Sequence, residues 1–132
     1  MSNVKDGDKF RIRIGDRNSR TTCIVEVVIS PEAITRGLSG REELDSGNGM
    51  LFIFPTISKQ NMWMPDMKFP LDIVWLDEEF TVINITKNCK PCPSRNECPN
   101  YSSKYMVKYA IEFKHGDADA YGFDVGKRLY VL

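Results

Sequence analysis

The 132-residue sequence has no long apolar run, no excess charge of either sign and almost no histidine. No stretch approaches the roughly 20 apolar residues that a membrane-spanning helix needs. The formal net charge is zero, with 18 basic and 18 acidic side chains, so bulk charge does not favour binding to nucleic acid. These absences predict a protein with no nucleic-acid partner and no membrane partner.

Three further absences bear on the location of the protein and on the kinds of catalytic or cofactor site it could have. The first eight residues hold no apolar segment of the kind that a secretory signal requires, which predicts a cytoplasmic location. The only histidine, His115, leaves no Ser-His-Asp or Cys-His arrangement to be argued from the sequence. The glycines show neither the Rossmann nor the Walker spacing. We therefore expect no cofactor.

What the sequence does contain is a series of short strand-like segments. The length predicts a single domain over residues 1–132, large enough to bury a core. Alternating or β-branched runs predict strands at residues 10–14, 23–29, 50–54, 61–64, 71–76, 80–86, 105–113 and 128–132. Capping signals predict short helical turns beginning after Ser30, near Ser39 and at Asp117.

No alternation of strands with long helices is present, so a doubly wound parallel sheet is not expected. Mostly antiparallel strands that close on themselves would hide their edges. The predicted fold class is therefore mainly β (a β-rich α+β fold), a small closed or strongly curved antiparallel β-barrel with two or three short helical turns.

Several short motifs follow one another in a specific order. They are Arg36-Gly37-Leu38, Arg41-Glu42, Gly49-Met50-Leu51-Phe52-Ile53-Phe54, Trp63-Met64, Pro70-Leu71-Asp72-Ile73 and Tyr109-Ala110-Ile111-Glu112. This order resembles the domain-of-unknown-function family 192. The resemblance covers residues 22–132 and leaves residues 1–21 as an N-terminal strand or hairpin arm. It implies a compact β-rich domain whose relatives are often exported, and it supplies no reaction.

Asp72 is the most unusual residue of these motifs, because it lies within an otherwise apolar strand. A buried carboxylate needs a charged or hydrogen-bonding partner. It could be the general acid or base of a hydrolase, or an anchor for a ligand. It could equally be structural, paired with Arg36 or Arg41 or capping backbone N–H groups in the 65–69 loop.

The favoured function is binding of a small polar or anionic ligand in a cleft near Trp63 and Asp72. Trp63 can stack on a ligand or fill the core. Arg36 and Arg41 suit a carboxylate or phosphate, which a guanidinium holds in a fork. Asp66 stands where family members usually have neutral side chains. With Arg36, Arg41 and Asp72 it is predicted to form the rim of the ligand-binding cleft.

Two other functions stay open beside ligand binding. One is a hydrolase that uses Asp72 with water. The other is a structural or interaction accessory protein that contacts an unknown protein partner through residues 87–104. That segment is a predicted long loop, and long loops in small domains are often functional.

The same loop holds three of the four cysteines, Cys89, Cys92 and Cys98. Their spacing could hold a metal ion, with Cys23 or His115 as a fourth ligand. The resemblance favours instead a Cys92–Cys98 disulfide, because related sequences have a similar Pro-Cys…Cys-Pro loop. Plain reduced thiols are the third alternative.

Overall fold

The computed structural model describes residues 3–94 and 96–132. Within this part of the chain there are nine strands and two short helices. In chain order they are β1 (Lys9–Ile14), β2 (Thr22–Val28), α1 (Pro31–Arg36), β3 (Asn48–Ser58), β4 (Asn61–Met62), β5 (Leu71–Leu76), β6 (Val82–Cys89), β7 (Tyr101–Ser102), β8 (Val107–Lys114), α2 (Asp117–Ala120) and β9 (Leu129–Val131).

Seven strands form one curled sheet in the order β6-β5-β8-β3-β2-β1-β9, and β4 pairs with β7 in a small second sheet. β1 and β2 form an antiparallel hairpin. β2 and β3 pair in parallel, and α1 lies in the crossover that a parallel pair requires. The mostly β fold with a strongly curved sheet is confirmed.

The two outer strands of this sheet approach each other at one end. The Val82 N–H donates to the Lys127 carbonyl at 2.8 Å, and the Gly126 N–H donates to the Val82 carbonyl at 2.8 Å. Thr81 and Arg128 form an antiparallel bridge beside them. The curled sheet is therefore a half-barrel whose edges are partly paired, which protects edge groups that would otherwise be open.

Both faces of the sheet are covered. One face presents a core that includes Leu51, Val74 and Ile111. The other face presents a second core that includes Phe52 and Trp75. Because successive residues of a strand point to opposite faces, β5 is buried along its whole length, which explains its nearly continuous apolar sequence.

β3 and the turn near Ser39 differ from the sequence predictions. β3 was expected to end at residue 54, but it continues through Pro55 to Ser58. Its register with β8 shifts between Ile53 and Ser58. Proline is tolerated where a bulge removes the need for an N–H. The predicted helical turn near Ser39 is only a hydrogen-bonded turn that continues from α1.

The predicted loop over residues 87–104 is shorter than expected. β6 extends through Cys89, and Tyr101–Ser102 forms β7 against β4. The segment between them includes Arg95, which is outside the described residues. Among the described residues, neither helix has the length or the apolar character needed to cross a membrane.

Candidate functional site

A cleft of about 240 Å³ lies on the Phe52 face of the sheet, between the end of α1 and the segment around β4. Its walls come from four parts of the chain: the last turn of α1 with the residues after it, the outer half of β3, residues 60–67, and one residue of β8. The side chains that matter for binding are Arg36, Phe52, Phe54, Trp63, Met67 and Glu112.

Local sequence signals place the end of α1 over this cleft. The Ala33 N–H donates to the Ser30 hydroxyl at 3.2 Å and caps the helix, which starts with Pro31. Gly37 ends the helix with φ +49°. A Cβ on Gly37 would lie 3.3 Å from the Phe52 ring, so the absent side chain lets α1 approach β3 closely. Arg36 is thereby held at the rim.

The opposite wall is fastened from two sides. The Ser39 hydroxyl donates to the Pro65 carbonyl at 3.2 Å, which ties the wall to the turn after α1. The Cys92 N–H donates to the Met64 carbonyl at 3.2 Å, which ties it to the cysteine loop. Trp63 lies between these attachments with 54% of its surface exposed, whereas Met64 is buried.

Glu112 forms the floor of the cleft. It lies in β8 between Met50 of β3 and Ile73 of β5, and only 4% of its surface is exposed. Burial among these apolar neighbours raises the pKa of its carboxyl group from about 4.5 to about 8. At neutral pH the group is therefore largely protonated in the empty cleft.

The described residues give the Glu112 carboxyl neither an ion pair nor a hydrogen bond. No buried side-chain nitrogen or oxygen in the described chain lacks a hydrogen-bond partner. It follows that the carboxyl oxygens of Glu112 are not sealed inside the sheet but reach the space of the cleft. The site thus contains a buried acid that is reached through the cleft.

Asp72 lies on the other face of the sheet, where it pairs in register with Phe113. Its carboxylate accepts backbone N–H bonds from Asn88 at 3.0 Å, Gly116 at 2.9 Å and Ala118 at 3.0 Å. The His115 ring lies 3.4 Å away. The carboxylate therefore holds the start of α2 against β6. The predicted partners were wrong: the carboxylate caps backbone N–H groups, but those of Asn88, Gly116 and Ala118 rather than those of the 65–69 loop, and neither Arg36 nor Arg41 pairs with it.

The remaining predicted rim residues are divided between two places. Arg36 lines the cleft. Arg41 borders a second cavity of about 330 Å³ and pairs with Glu26 at 3.2 Å. The Asp66 carbonyl accepts from the Gly40 N–H at 3.0 Å. The structure thus brings Trp63 and Arg36 together and separates them from Asp72 and Arg41. A ligand-binding role for these residues stays a prediction.

The cysteines resolve into a disulfide and two thiols. Cys92 and Cys98 are bonded, as the resemblance implied. Cys23 and Cys89 are buried, and burial raises the pKa of each thiol to about 12. The disulfide removes two of the three thiolates on which the metal alternative depended. Over residues 3–94 and 96–132, no group of three His, Cys, Asp or Glu could hold a metal ion.

Sequence reasoning missed Glu112 as a site residue. Alternation in β8 places Glu112 on the same face as Lys108 and Lys114, which reads as a solvated face. In the structure, α1 and residues 60–67 cover that face and enclose Glu112. The available signal was its place in the Tyr109-Ala110-Ile111-Glu112 motif, one of those that carried the family resemblance.

A search of the curated proteins finds no match. Among solved structures, one from Sinorhizobium meliloti 1021, described as "a putative transcription regulator", is 27% identical, covers 98% of each chain and has a TM-score of 0.85. Another, a protein of unknown function from Novosphingobium aromaticivorans DSM 12444, is 22% identical. It covers 91% of this chain and 83% of its own, with a TM-score of 0.80, and shows the shared fold. The model of DUF192, described as an uncharacterised ACR, matches residues 11–131, and the chain belongs to this family.

Proposed function

We propose that this protein is a binding module for a small ligand that carries an anionic group and an apolar body. The single observation that supports this most strongly is that the exposed Trp63 and Arg36 line one cleft together with Phe52 and Phe54. An aromatic side chain at a concave site is a common ligand platform. A guanidinium at the rim suits a carboxylate or a phosphate.

The size of the cleft limits the ligand. Its volume of about 240 Å³ is below the roughly 300–1,000 Å³ that drug-sized ligands occupy. A molecule of metabolite size fits this space better than a nucleotide or an oligosaccharide. The proposal keeps Trp63 and Arg36 from the predicted site and assigns Asp72 a structural role.

Tryptophan fluorescence gives a direct test. The chain has two tryptophans: Trp75 is fully buried and Trp63 is exposed at the cleft. A set of small aryl and alkyl carboxylates should therefore change the emission of Trp63 in a saturable way. The change should disappear in Trp63→Phe, whose remaining tryptophan is Trp75.

Two arginine variants distinguish this cleft from the neighbouring cavity. Arg36→Gln should weaken carboxylate binding about tenfold, since a charge-assisted bidentate contact is lost. Arg41→Gln is the matched control, because Arg41 borders the second cavity and pairs with Glu26. If Arg41→Gln weakens binding and Arg36→Gln does not, the ligand site is the second cavity and the proposal is wrong.

The other functions predicted from the sequence find less support. Three backbone donors engage the Asp72 carboxylate, which favours capping over proton transfer in a hydrolase. The description of the Sinorhizobium relative would suggest a role in transcription. A net charge of zero does not favour the nucleic-acid binding that such a role requires. The Cys92–Cys98 disulfide supports an oxidising compartment over the predicted cytoplasmic location.

A further inference from the structure

Glu112 is a buried acid that the described part of the protein does not neutralise. It is 4% exposed, lies at the floor of the proposed binding cleft, and has no hydrogen bond or ion pair among the described residues. Burying a polar group without a partner is costly, and native structures pair most of them. An acid left unpaired at the bottom of an open cleft is therefore placed to meet a group that comes from outside.

The neighbouring strands offer no cation to Glu112. The residues beside it in register, Met50 and Ile73, are apolar. The ammonium group of Lys108, four residues earlier in β8, donates to the Phe54 carbonyl at 2.7 Å, and Lys114 is exposed at the end of the strand.

The other nearby titratable groups are also occupied or neutral. Glu26, one strand beyond Met50, pairs with Arg41. The Cys89 thiol of β6 is buried, and its pKa is raised by burial first and by the Glu112 charge second. Arg36 faces the same cleft from α1 but lies at its rim and is exposed. The floor is therefore an unmatched site for positive charge.

The walls of the cleft favour a cation as well. Phe52 and Phe54 lie with ring centroids 6.3 Å apart on the cleft side of β3, and Trp63 stands at the mouth. The faces of aromatic rings attract ammonium groups. The thioethers of Met62 and Met67 add polarizable surface that adapts to an apolar ligand body.

We propose that Glu112 receives an ammonium group of the ligand while Arg36 holds its carboxylate, so that the cleft takes a small zwitterion with an apolar body, such as an amino acid. This inference rests on the proposed function and names its ligand class. On binding, the protonated Glu112 carboxyl releases its proton to solvent, and the resulting carboxylate pairs with the ligand ammonium. Binding near neutral pH therefore releases up to one proton.

Three probes with the same phenyl-ethyl skeleton separate the two contacts. L-Phenylalanine carries both charged groups, 3-phenylpropionate carries only the carboxylate, and phenethylamine carries only the amine. For the unmodified protein we expect L-phenylalanine to bind about tenfold more tightly than 3-phenylpropionate, because only L-phenylalanine makes the buried charge-assisted contact with Glu112. Isothermal titration calorimetry measures these affinities.

The variant Glu112→Gln removes the charge and keeps the size of the side chain. It should lower the affinity for L-phenylalanine to that for 3-phenylpropionate and leave 3-phenylpropionate within about twofold. Glu26→Gln, the same change in the same cross-strand row but two strands away and outside the cleft lining, is the matched control and should leave both affinities unchanged.

A second readout does not depend on any variant. Calorimetry of L-phenylalanine binding in two buffers of different ionisation enthalpy at pH 7 counts the protons released. We expect release with L-phenylalanine and none with 3-phenylpropionate. This measurement decides the matter even if Glu112→Gln does not fold.

The outcomes separate this inference from the function on which it rests. If 3-phenylpropionate binds as tightly as L-phenylalanine without proton release, Glu112 is not an amine site, while the binding cleft stands. If phenethylamine binds as tightly as L-phenylalanine and Arg36→Gln has no effect, the anionic contact of the proposed function is wrong. If none of the three probes binds at millimolar concentration, both are overturned.

Discussion

Asp72 and Glu112 are buried acids in adjoining strands, on opposite faces of one sheet, and the protein treats them differently. Asp72 receives three backbone N–H donors, whereas Glu112 receives none among the described residues. The first arrangement stabilises the fold by capping backbone N–H groups. The second leaves an acid that is neutral near pH 7 and open to the cleft, which is the usual difference between structural and functional acids.

Replacement of Asp72 tests its structural role. Asp72→Asn leaves the part-buried N–H of Gly116 and the buried N–H of Ala118 with a weaker or absent acceptor, so it should lower the free energy of unfolding by about 2 kcal/mol. Chemical denaturation followed by circular dichroism measures this. Asp119→Asn, the same change at an exposed pair with Lys87, should cost less than about 1 kcal/mol. Equal effects would mean that capping by Asp72 contributes little.

The pKa of Glu112 makes stability depend on pH in a known direction. Because its folded pKa is raised from about 4.5 to about 8, the folded state holds the proton more tightly than the unfolded state. This contribution is complete below pH 4.5 and is lost as the pH rises to 8. Its full size is a few kcal/mol, at about 1.4 kcal/mol for each pH unit.

The corresponding measurement compares unfolding at pH 5 and pH 8. The unmodified protein should lose stability over this interval, and Glu112→Gln should lose much less. Glu78→Gln, which changes an exposed acid of the turn before β6, serves as the control and should follow the unmodified protein. An unchanged pH dependence in Glu112→Gln would show that Glu112 does not titrate in this range.

At the scale of elements, local signals were sufficient where one residue type decides the geometry. Ser30 predicted the start of α1, as observed. The β5 bounds were also predicted, since its apolar run is bordered by Pro70 and a turn. The predicted end of β3 before Pro55 was wrong. Whether a proline ends a strand depends on whether the adjacent strand needs its N–H, and β8 pairs irregularly with β3 at this point.

The cysteine loop is an element whose effect on the site can be measured. Cys92 and Cys98 are six residues apart, and a loop of this size stabilises by about 2 kcal/mol in the chain-entropy description. The double variant Cys92→Ser, Cys98→Ser should lose about that free energy of unfolding. It should also weaken ligand binding, because Cys92 supports the Met64 wall of the cleft.

Reducing agent provides the matched comparison. It should reproduce both losses in the unmodified protein and have no effect on the double variant. The buried thiols Cys23 and Cys89, with pKa values of about 12, should not react with iodoacetamide in the native state. If reduction changes neither stability nor binding, the disulfide has no part in the site.

At the scale of the whole molecule, the site depends on contacts between distant parts of the chain. The motifs suggested that Arg36 and Trp63 belong to one cleft, and both line the same cleft. The burial of Glu112 could not be predicted, because it requires α1 and residues 60–67 to cover a strand that lies roughly 80 and roughly 50 residues later in the sequence, respectively. The partners of Asp72 could not be predicted for the same reason, since its hydrogen-bond donors lie on β6 and at the start of α2, far from Asp72 in the sequence.

Closure of the half-barrel is the contact of longest range and gives the last prediction. β9, near the end of the chain, pairs with β1, near its start, and the Leu129 N–H donates to the Phe80 carbonyl at 2.9 Å. Leu129 is buried in the core on the Leu51 face. Leu129→Ala removes buried methyl groups and leaves a cavity, so it should cost about 2–4 kcal/mol of unfolding free energy.

Val131→Ala is the matched control, because Val131 lies on the same strand but is largely exposed, and it should cost less than about 1 kcal/mol. If the two variants are equally stable, β9 does not close the core. If instead Leu129→Ala unfolds one edge first, hydrogen exchange should increase in β9 and β1 before β3 and β8. This order would follow from their positions, since β9 is an edge strand with β1 next to it, whereas β3 and β8 lie in the middle of the sheet.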